Sequence, residues 1–315
     1  MSKTTLSMLL RRPIDGHKGS FGTVGVIGGS VGSLRPDDPI SAQMIGAPAL
    51  VGMGANRAGC GLVKIASAEP IISSVLTLAP MATGYPIAST LSGLLEQSHT
   101  RAITDRLIEE CDALVVGPGM GTRDDTQYVA EYLIRNILNT CTLILDADAI
   151  NCLSAVRDLQ RCPFSHPARV VLTPHPGEAR RLMGALGLDG RPDGSQDERI
   201  DACRALASST GAIVVLKGHG TIVSDGTRCW VCDAGHPCLA TGGTGDVLAG
   251  MIASVAAQIR ASESSEIELY DGVCIAVEAH ALCGEQWAEE WEADAGLDPR
   301  DLGLLIPSLM DRYRL

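Results

Sequence analysis

The stretch Thr241-Gly-Gly-Thr-Gly-Asp246 sets small, flexible residues against a single carboxylate. Behind it Val247, Leu248, Met251, Ile252 and Val255 recur at the spacing of one helix face, which predicts a helix over 247–259 with the glycines at its N-terminus. The first N–H groups of a helix have no intrahelical acceptors and lie at the positive end of its dipole, so backbone alone can hold a phosphate there. A carboxylate at the same point repels that phosphate. Its presence makes sense if Asp246 is the base that takes the proton of a hydroxyl attacking phosphorus, since such a transfer needs little other covalent help from the protein. An aspartate that merely caps the helix would look the same at this level.

A base and an anion cradle are useful only on a scaffold that brings several loops to one place. Apolar runs at 23–28, 62–66, 113–116, 142–145, 170–173 and 213–216 read as buried strands, and segments 40–58, 125–138, 200–208, 247–259 and 273–290 read as helices. This alternation predicts an α/β fold, a largely parallel central sheet with helices on both faces in a three-layer sandwich. Segments 187–198 and 261–268 read as surface loops, and no internal repeat is visible. In a parallel sheet, ligands bind beyond the carboxyl ends of the strands. Four strand runs lead directly into Gly28-Gly-Ser30, Gly117-Pro-Gly-Met-Gly121, Asp146-Ala-Asp148 and Thr173-Pro-His-Pro-Gly-Glu178.

Within these loops, Lys217 follows a buried strand and supplies a cation, while His175 is held rigidly between two prolines. Glu178 can help place a hydrated magnesium ion, which keeps several waters and takes one or two carboxylates, or it can sit in the first turn of a helix after Gly177. Asp146 and Asp148 read as turn or cap residues, Asp146 as a structural one, and neither is assigned a catalytic role.

The 315 residues are 45% hydrophobic but only 3% aromatic, so the core must be built from Val, Leu, Ile and Ala. One large α/β domain spanning 1–315 is expected at this length. A net charge of -12 opposes a nucleic-acid or anionic-membrane partner, so any small anion must be held locally against the overall field. The N-terminus lacks the features of a secretory signal, and there is no apolar run of about 18 residues to span a membrane. Eleven cysteines, an odd and scattered set, suit a reducing cytoplasm. Cys229, Cys232, His236 and Cys238 have the composition of a zinc site, but 221–232 reads as a hairpin turning at Asp225-Gly226. Cys229 and Cys232 then point to opposite faces of a strand, and free thiols without metal are expected.

Taken together, His17-Lys-Gly19, Gly28-Gly-Ser30, Gly117-Pro-Gly119, Leu145-Asp-Ala-Asp148, Thr173-Pro-His-Pro-Gly-Glu178, Lys217-Gly218 and Gly242-Gly-Thr-Gly-Asp246 resemble the ADP- or ATP-dependent NAD(P)H-hydrate dehydratase family of the ribokinase-like superfamily. The resemblance runs from His17 to Pro307. It implies a ribokinase-like fold and a repair reaction: nucleotide-driven dehydration of NADHX and NADPHX, the hydrated reduced nicotinamide cofactors, through phosphorylation of a ring hydroxyl. Carried over by position, Asp246 meets the substrate hydroxyl. Ala47, Gly119 and His175 contact the hydrated cofactor. Lys217, Gly218, His219, Gly220 and Thr221 border the nucleotide, and Gly243, Thr244 and Gly245 face its phosphate. The resemblance further implies ADP (or ATP) as co-substrate, Mg2+, and a homo-oligomer, a tetramer. Too few residues precede His17 for the epimerase domain fused to this one in many bacterial relatives, so none is expected.

Between Gly28-Gly-Ser30 and Gly46-Ala47, the segment 31–45 is longer than the short connection the family leads one to expect. Two rival functions share the nucleotide motif. A hydroxyethylthiazole- or hydroxymethylpyrimidine-kinase-like enzyme would use the same Gly-Thr-Gly-Asp element, and fold alone does not separate it; the loops 117–119 and 173–178 do. A non-catalytic nucleotide sensor would have no need of a base at Asp246.

Overall fold

A computed structural model describes residues 9, 11–32, 42–161, 164–262 and 267–314. Seven parallel strands, β1 (Thr23–Ile27), β2 (Leu62–Ala68), β3 (Ala82–Ile87), β4 (Ala113–Val116), β5 (Thr142–Leu145), β6 (Val170–Leu172) and β7 (Ile213–Leu216), are joined by two antiparallel ones, β8 (Ile222–Ser224) and β9 (Cys229–Val231). Their order is β3-β2-β1-β4-β5-β6-β7-β8-β9. The helices are α1 (Gly46–Ala58), α2 (Glu69–Leu78), α3 (Gln97–Glu110), α4 (Asp124–Asn136), α5 (Asp148–Ser154), α6 (Pro176–Leu186), α7 (Gln196–Thr210), α8 (Thr244–Ala261), α9 (Leu269–Trp291) and α10 (Pro299–Asp311).

The period-two alternation of the strands divides the core. In β4, Ala113 and Val115 join the cluster built with α1, α8, α9 and α10, whereas Leu114 and Val116 join the one built with α3 to α7. Both sets are fully buried, each large aliphatic contributing roughly 1.5–3 kcal/mol. The expected three-layer α/β sandwich is thus what forms. Five of the six expected strands match within a residue; β2 runs two residues further, to Ala68.

β3 was not foreseen. It is an edge strand carrying Gly84 and Pro86 and only partly buried, so it lacks the apolar run that marks its neighbours. The helix expected over 40–58 begins at Gly46; residues 40 and 41, like most of the long connection at 33–41, lie outside the described residues, as do 263–266 of the expected surface loop.

The chain adds β2 and β3 on one side of β1, then crosses through α3 to lay β4 on the other. The strand order therefore reverses between β1 and β4, where the diverging connections leave a crevice at the carboxyl ends. α8 runs under β1, β4 and β5. Its last turns pack near residues 18–22, which enter β1, since a Cβ on Gly22 would strike the Ala257 carbonyl at 2.5 Å. Its N-terminus consequently opens at the carboxyl ends. The His17-Lys-Gly19 motif lies at the opposite edge, where His17 Nδ1 accepts from the Gly19 N–H at 3.1 Å and caps a short 3-10 turn.

The hairpin forms as expected: Asp225 N–H donates to the Arg228 carbonyl, Cys229 packs toward the α3–α7 side, and Cys232 belongs to the α8–α9 core. Among the described residues, no helix is long and apolar enough to cross a membrane.

Candidate active site

α8 starts with Gly243 as its N-cap, at φ 98°, a left-handed conformation that a side chain would strain; a Cβ there would also lie 2.7 Å from Leu50 Cδ1 on α1. The helix thus has no side-chain cap. Asp246, three residues on, is not capping it, and among the described residues its carboxylate receives no hydrogen bond. Thr244 turns inward, its hydroxyl donating to the carbonyls of Leu239 (2.8 Å) or Thr241 (2.9 Å), and its N–H lies 3.4 Å from the Thr241 carbonyl. The N–H groups at Gly245 and Asp246 are left for a ligand by their place in the first turn.

Lys217 points at this helix start. A Cβ on Gly245 would lie 3.6 Å from Lys217 Nζ. Its ammonium pairs with Asp146 Oδ1 at 2.7 Å, and that same oxygen accepts from Thr173 Oγ1 at 2.7 Å. Asp146 is 1% exposed. Burial works against the charged lysine, but the nearby carboxylates of Asp146, Glu178 and Asp246 outweigh it and raise its pKa, so the cation persists. Asp146 therefore holds the lysine that faces the cradle, a task its position in a turn had not suggested. The Asp146-Ala-Asp148 corner is strained: Ala147 has φ 50° and ψ -117°, and Gly117, whose added Cβ would fall 1.9 Å from the Asp146 carbonyl, lets the neighbouring loop pass over it. Asp148 begins α5 and accepts from the Gly121 N–H at 2.8 Å.

Asp246 itself is pushed up to about 7, first by burial, then by the negative charge of Asp146, against the pull of Lys217. A carboxylate tuned to that range is half ionised at neutral pH and accepts a proton far more readily than an ordinary aspartate.

His175 and Glu178 form a reciprocal cap at the start of α6. His175 Nδ1 accepts from the N–H groups of Gly177 (3.0 Å) and Glu178 (3.4 Å), and Glu178 Oε2 accepts from the His175 N–H at 2.8 Å. The ring proton must then sit on Nε2, which lies 3.3 Å from Glu178 Oε1. Burial and the charges of Lys217 and Arg181 lower the His175 pKa, keeping the ring neutral, while burial raises Glu178 to about 7. Glu178 Oε2 is thus engaged within the cap, while Oε1 only lies near the ring. Among the described residues no three His, Cys, Asp or Glu side chains converge as ligands.

Gly119, at φ 65°, lies in the crevice beside α1: a Cβ on it would come 3.3 Å from Ala47 Cβ. Ala47 thus meets Gly119 despite the long preceding connection. α1 also packs along α8, so the Ala47 turn and the Gly243 turn are neighbours through Leu50.

Lys217, Gly218, His219, Gly220 and Thr221 form a tight loop, with Gly218 and Gly220 at positive φ and Thr221 Oγ1 donating to the Gly218 carbonyl at 2.9 Å. The first turns of α7 clasp it from behind: Arg199 Nη1 donates to the His219 carbonyl, while Nη2 is buried without a hydrogen-bond partner among the described residues. Arg199 and the buried His280 were not foreseen. Each lies in a helix whose pattern explains its neighbours, and only the presence of a charged or polar group on a buried face marks them.

A family model described as NAD(P)H-hydrate dehydratase matches residues 41–308. An ADP-dependent (S)-NAD(P)H-hydrate dehydratase of Neisseria meningitidis is 34% identical over 296 residues, covering 91% of this chain and 84% of that protein. A bifunctional NAD(P)H-hydrate repair enzyme of Pyrobaculum aerophilum is 31% identical over 96% of this chain, which spans 53% of that longer protein. The crystal structure of an ADP/ATP-dependent NAD(P)H-hydrate dehydratase of Bacillus subtilis, co-crystallised with ATP/Mg2+, superposes with a TM-score of 0.73 at 29% identity, covering 97% of this chain and 95% of that one.

Proposed function

The chain belongs to the NAD(P)H-hydrate dehydratase family, and from that premise we propose that it dehydrates NADHX and NADPHX to NADH and NADPH at the expense of an adenine nucleotide, ADP in preference to ATP. The observation that carries this reading is the uncapped start of α8, where Asp246 stands without a hydrogen bond among the described residues, beside two first-turn N–H groups and Lys217. Asp246 takes the proton of the ring hydroxyl, and the hydroxyl oxygen attacks the terminal phosphorus of the nucleotide. The bond from phosphorus to the bridging oxygen breaks, and the shortened nucleotide leaves with the electron pair. The N–H groups of Gly245 and Asp246 form the cradle for the transferred group, Gly243 and Thr244 shape the turn that presents them, Lys217 offsets its charge, and the loop from Gly218 to Thr221 borders the nucleotide. The hydroxyl, a poor leaving group, has become a phosphate ester. The ring nitrogen's lone pair expels phosphate, and loss of a proton from the adjacent ring carbon restores the dihydropyridine.

The nicotinamide end is assigned to the crevice at Ala47 and Gly119, with His175 at its border as a neutral donor through Nε2. A magnesium ion would arrive with the nucleotide phosphates and keep its waters, one of which Glu178 Oε1 would help to place while Oε2 holds the α6 cap. One domain over 1–315, a cytoplasmic setting and a homotetramer belong to the same proposal. The first is supported by the single nine-stranded sheet, the second by the odd cysteine set, and the third by the family resemblance.

The test is to incubate the protein with NADHX and ADP or ATP in turn and follow the return of reduced-nicotinamide absorbance. No recovery with either nucleotide, alongside phosphorylation of a hydroxyethylthiazole or hydroxymethylpyrimidine, would replace this reading with a small-molecule kinase.

A further inference from the structure

α9 is lined on its buried side by Val273, Ile275, Ala276, Val277, Ala279 and Cys283, with His280 among them at 8% exposure. An imidazole costs free energy in such surroundings, where an aliphatic residue would fill the space without penalty. Its Nε2 lies 3.0 Å from the Thr244 carbonyl oxygen in the first turn of α8. A carbonyl only accepts, so Nε2 carries the proton; burial depresses the ring pKa to about 4, and the imidazole is a neutral, single donor. The helix does not need this bond. Carbonyls in a first turn already accept from the N–H four residues on, and only the N–H groups there are orphaned.

What the bond does is act on an amide. The Thr244 carbonyl and the Gly245 N–H belong to the same peptide unit, so a donor on the oxygen draws electron density from the nitrogen and strengthens that N–H as a donor to a ligand. It also fixes the plane of the peptide, and with it the direction of the N–H; the Thr244 hydroxyl, held by the Leu239 and Thr241 carbonyls, pins the other side of the same residue. We propose that His280, through the Thr244–Gly245 peptide, is a positioning residue for the nucleotide phosphate. The inference rests on the proposed use of the α8 start as a nucleotide site.

The matched pair His280→Gln and His280→Met tests it, because the two side chains have similar length and shape but only glutamine offers an N–H. ADP binding is measured by calorimetry without substrate, together with the thermal midpoint of each nucleotide-free protein. His280→Met should bind ADP about three- to tenfold more weakly, the scale of one hydrogen bond. His280→Gln should recover most of the affinity, with the two variants melting together. Wild-type affinity in His280→Met, or equal weakening in both variants, overturns the proposal while leaving the proposed function standing. A wild-type protein that binds neither ADP nor ATP brings down both.

Discussion

Asp246→Asn separates a catalytic carboxylate from a structural one, because asparagine keeps the size and shape but does not accept a proton at neutral pH. On the general-base reading kcat falls by about 10²–10⁴-fold. The stability effect has the opposite sign. Asp246 is pushed up from 3.8 to about 7, so the folded protein holds a proton that the unfolded chain has already released over that interval. Wild-type stability from this group is therefore lost as pH rises from about 4 to about 7, and above that the folded state carries a partly buried charge. At about 1.4 kcal/mol per pKa unit, and allowing for partial solvent contact, replacing that charge is worth on the order of 2–4 kcal/mol. For a chain of this length that is a rise in Tm of roughly 3–6 °C at pH 8. The gain should fade towards pH 4. The assay is a Tm series across pH beside single-turnover kinetics with saturating nucleotide. In the wild type, turnover should climb with pH to a plateau above about 7. A variant that keeps most of its turnover and melts lower at every pH would refute the reasoning and leave Asp246 a structural role only.

Lys217→Ala should raise the KM for nucleotide by about tenfold and leave the KM for NADHX nearly unchanged; the reverse pattern would show the two subsites exchanged. It should also lower Tm, since Asp146 is left buried without its cation, and adding Asp146→Asn should return much of that loss. Ala147→Gly relieves a left-handed φ and should stabilise the nucleotide-free protein by about 1 kcal/mol, so a marked fall in Tm would show that the corner is not strained.

The sequence determined the layers and which loops meet at the carboxyl ends of the strands. Buried parallel strands need continuous aliphatic runs, and such runs are legible without any contact being known, as at 113–116 and 142–145. The edge strand β3, wet on one side and interrupted by Gly84 and Pro86, has no such signature. Asp246 stood out because a carboxylate at a glycine-rich helix start, where orphan N–H groups favour an anion, is out of keeping with its surroundings, and that mismatch is local. Its environment is not. Burial and the charge of Asp146, from a strand a hundred residues earlier in the chain, set its proton affinity. The pairing of Lys217 with Asp146 joins β7 to β5 across β6, and Ala47 reaches Gly119 only because the strand order reverses between β1 and β4. Asp146, Arg199 and His280 find their partners, Lys217, His219 and Thr244, outside their own elements. A side chain's type and immediate neighbours fix what it is able to donate or accept, but only the tertiary packing decides which group receives it.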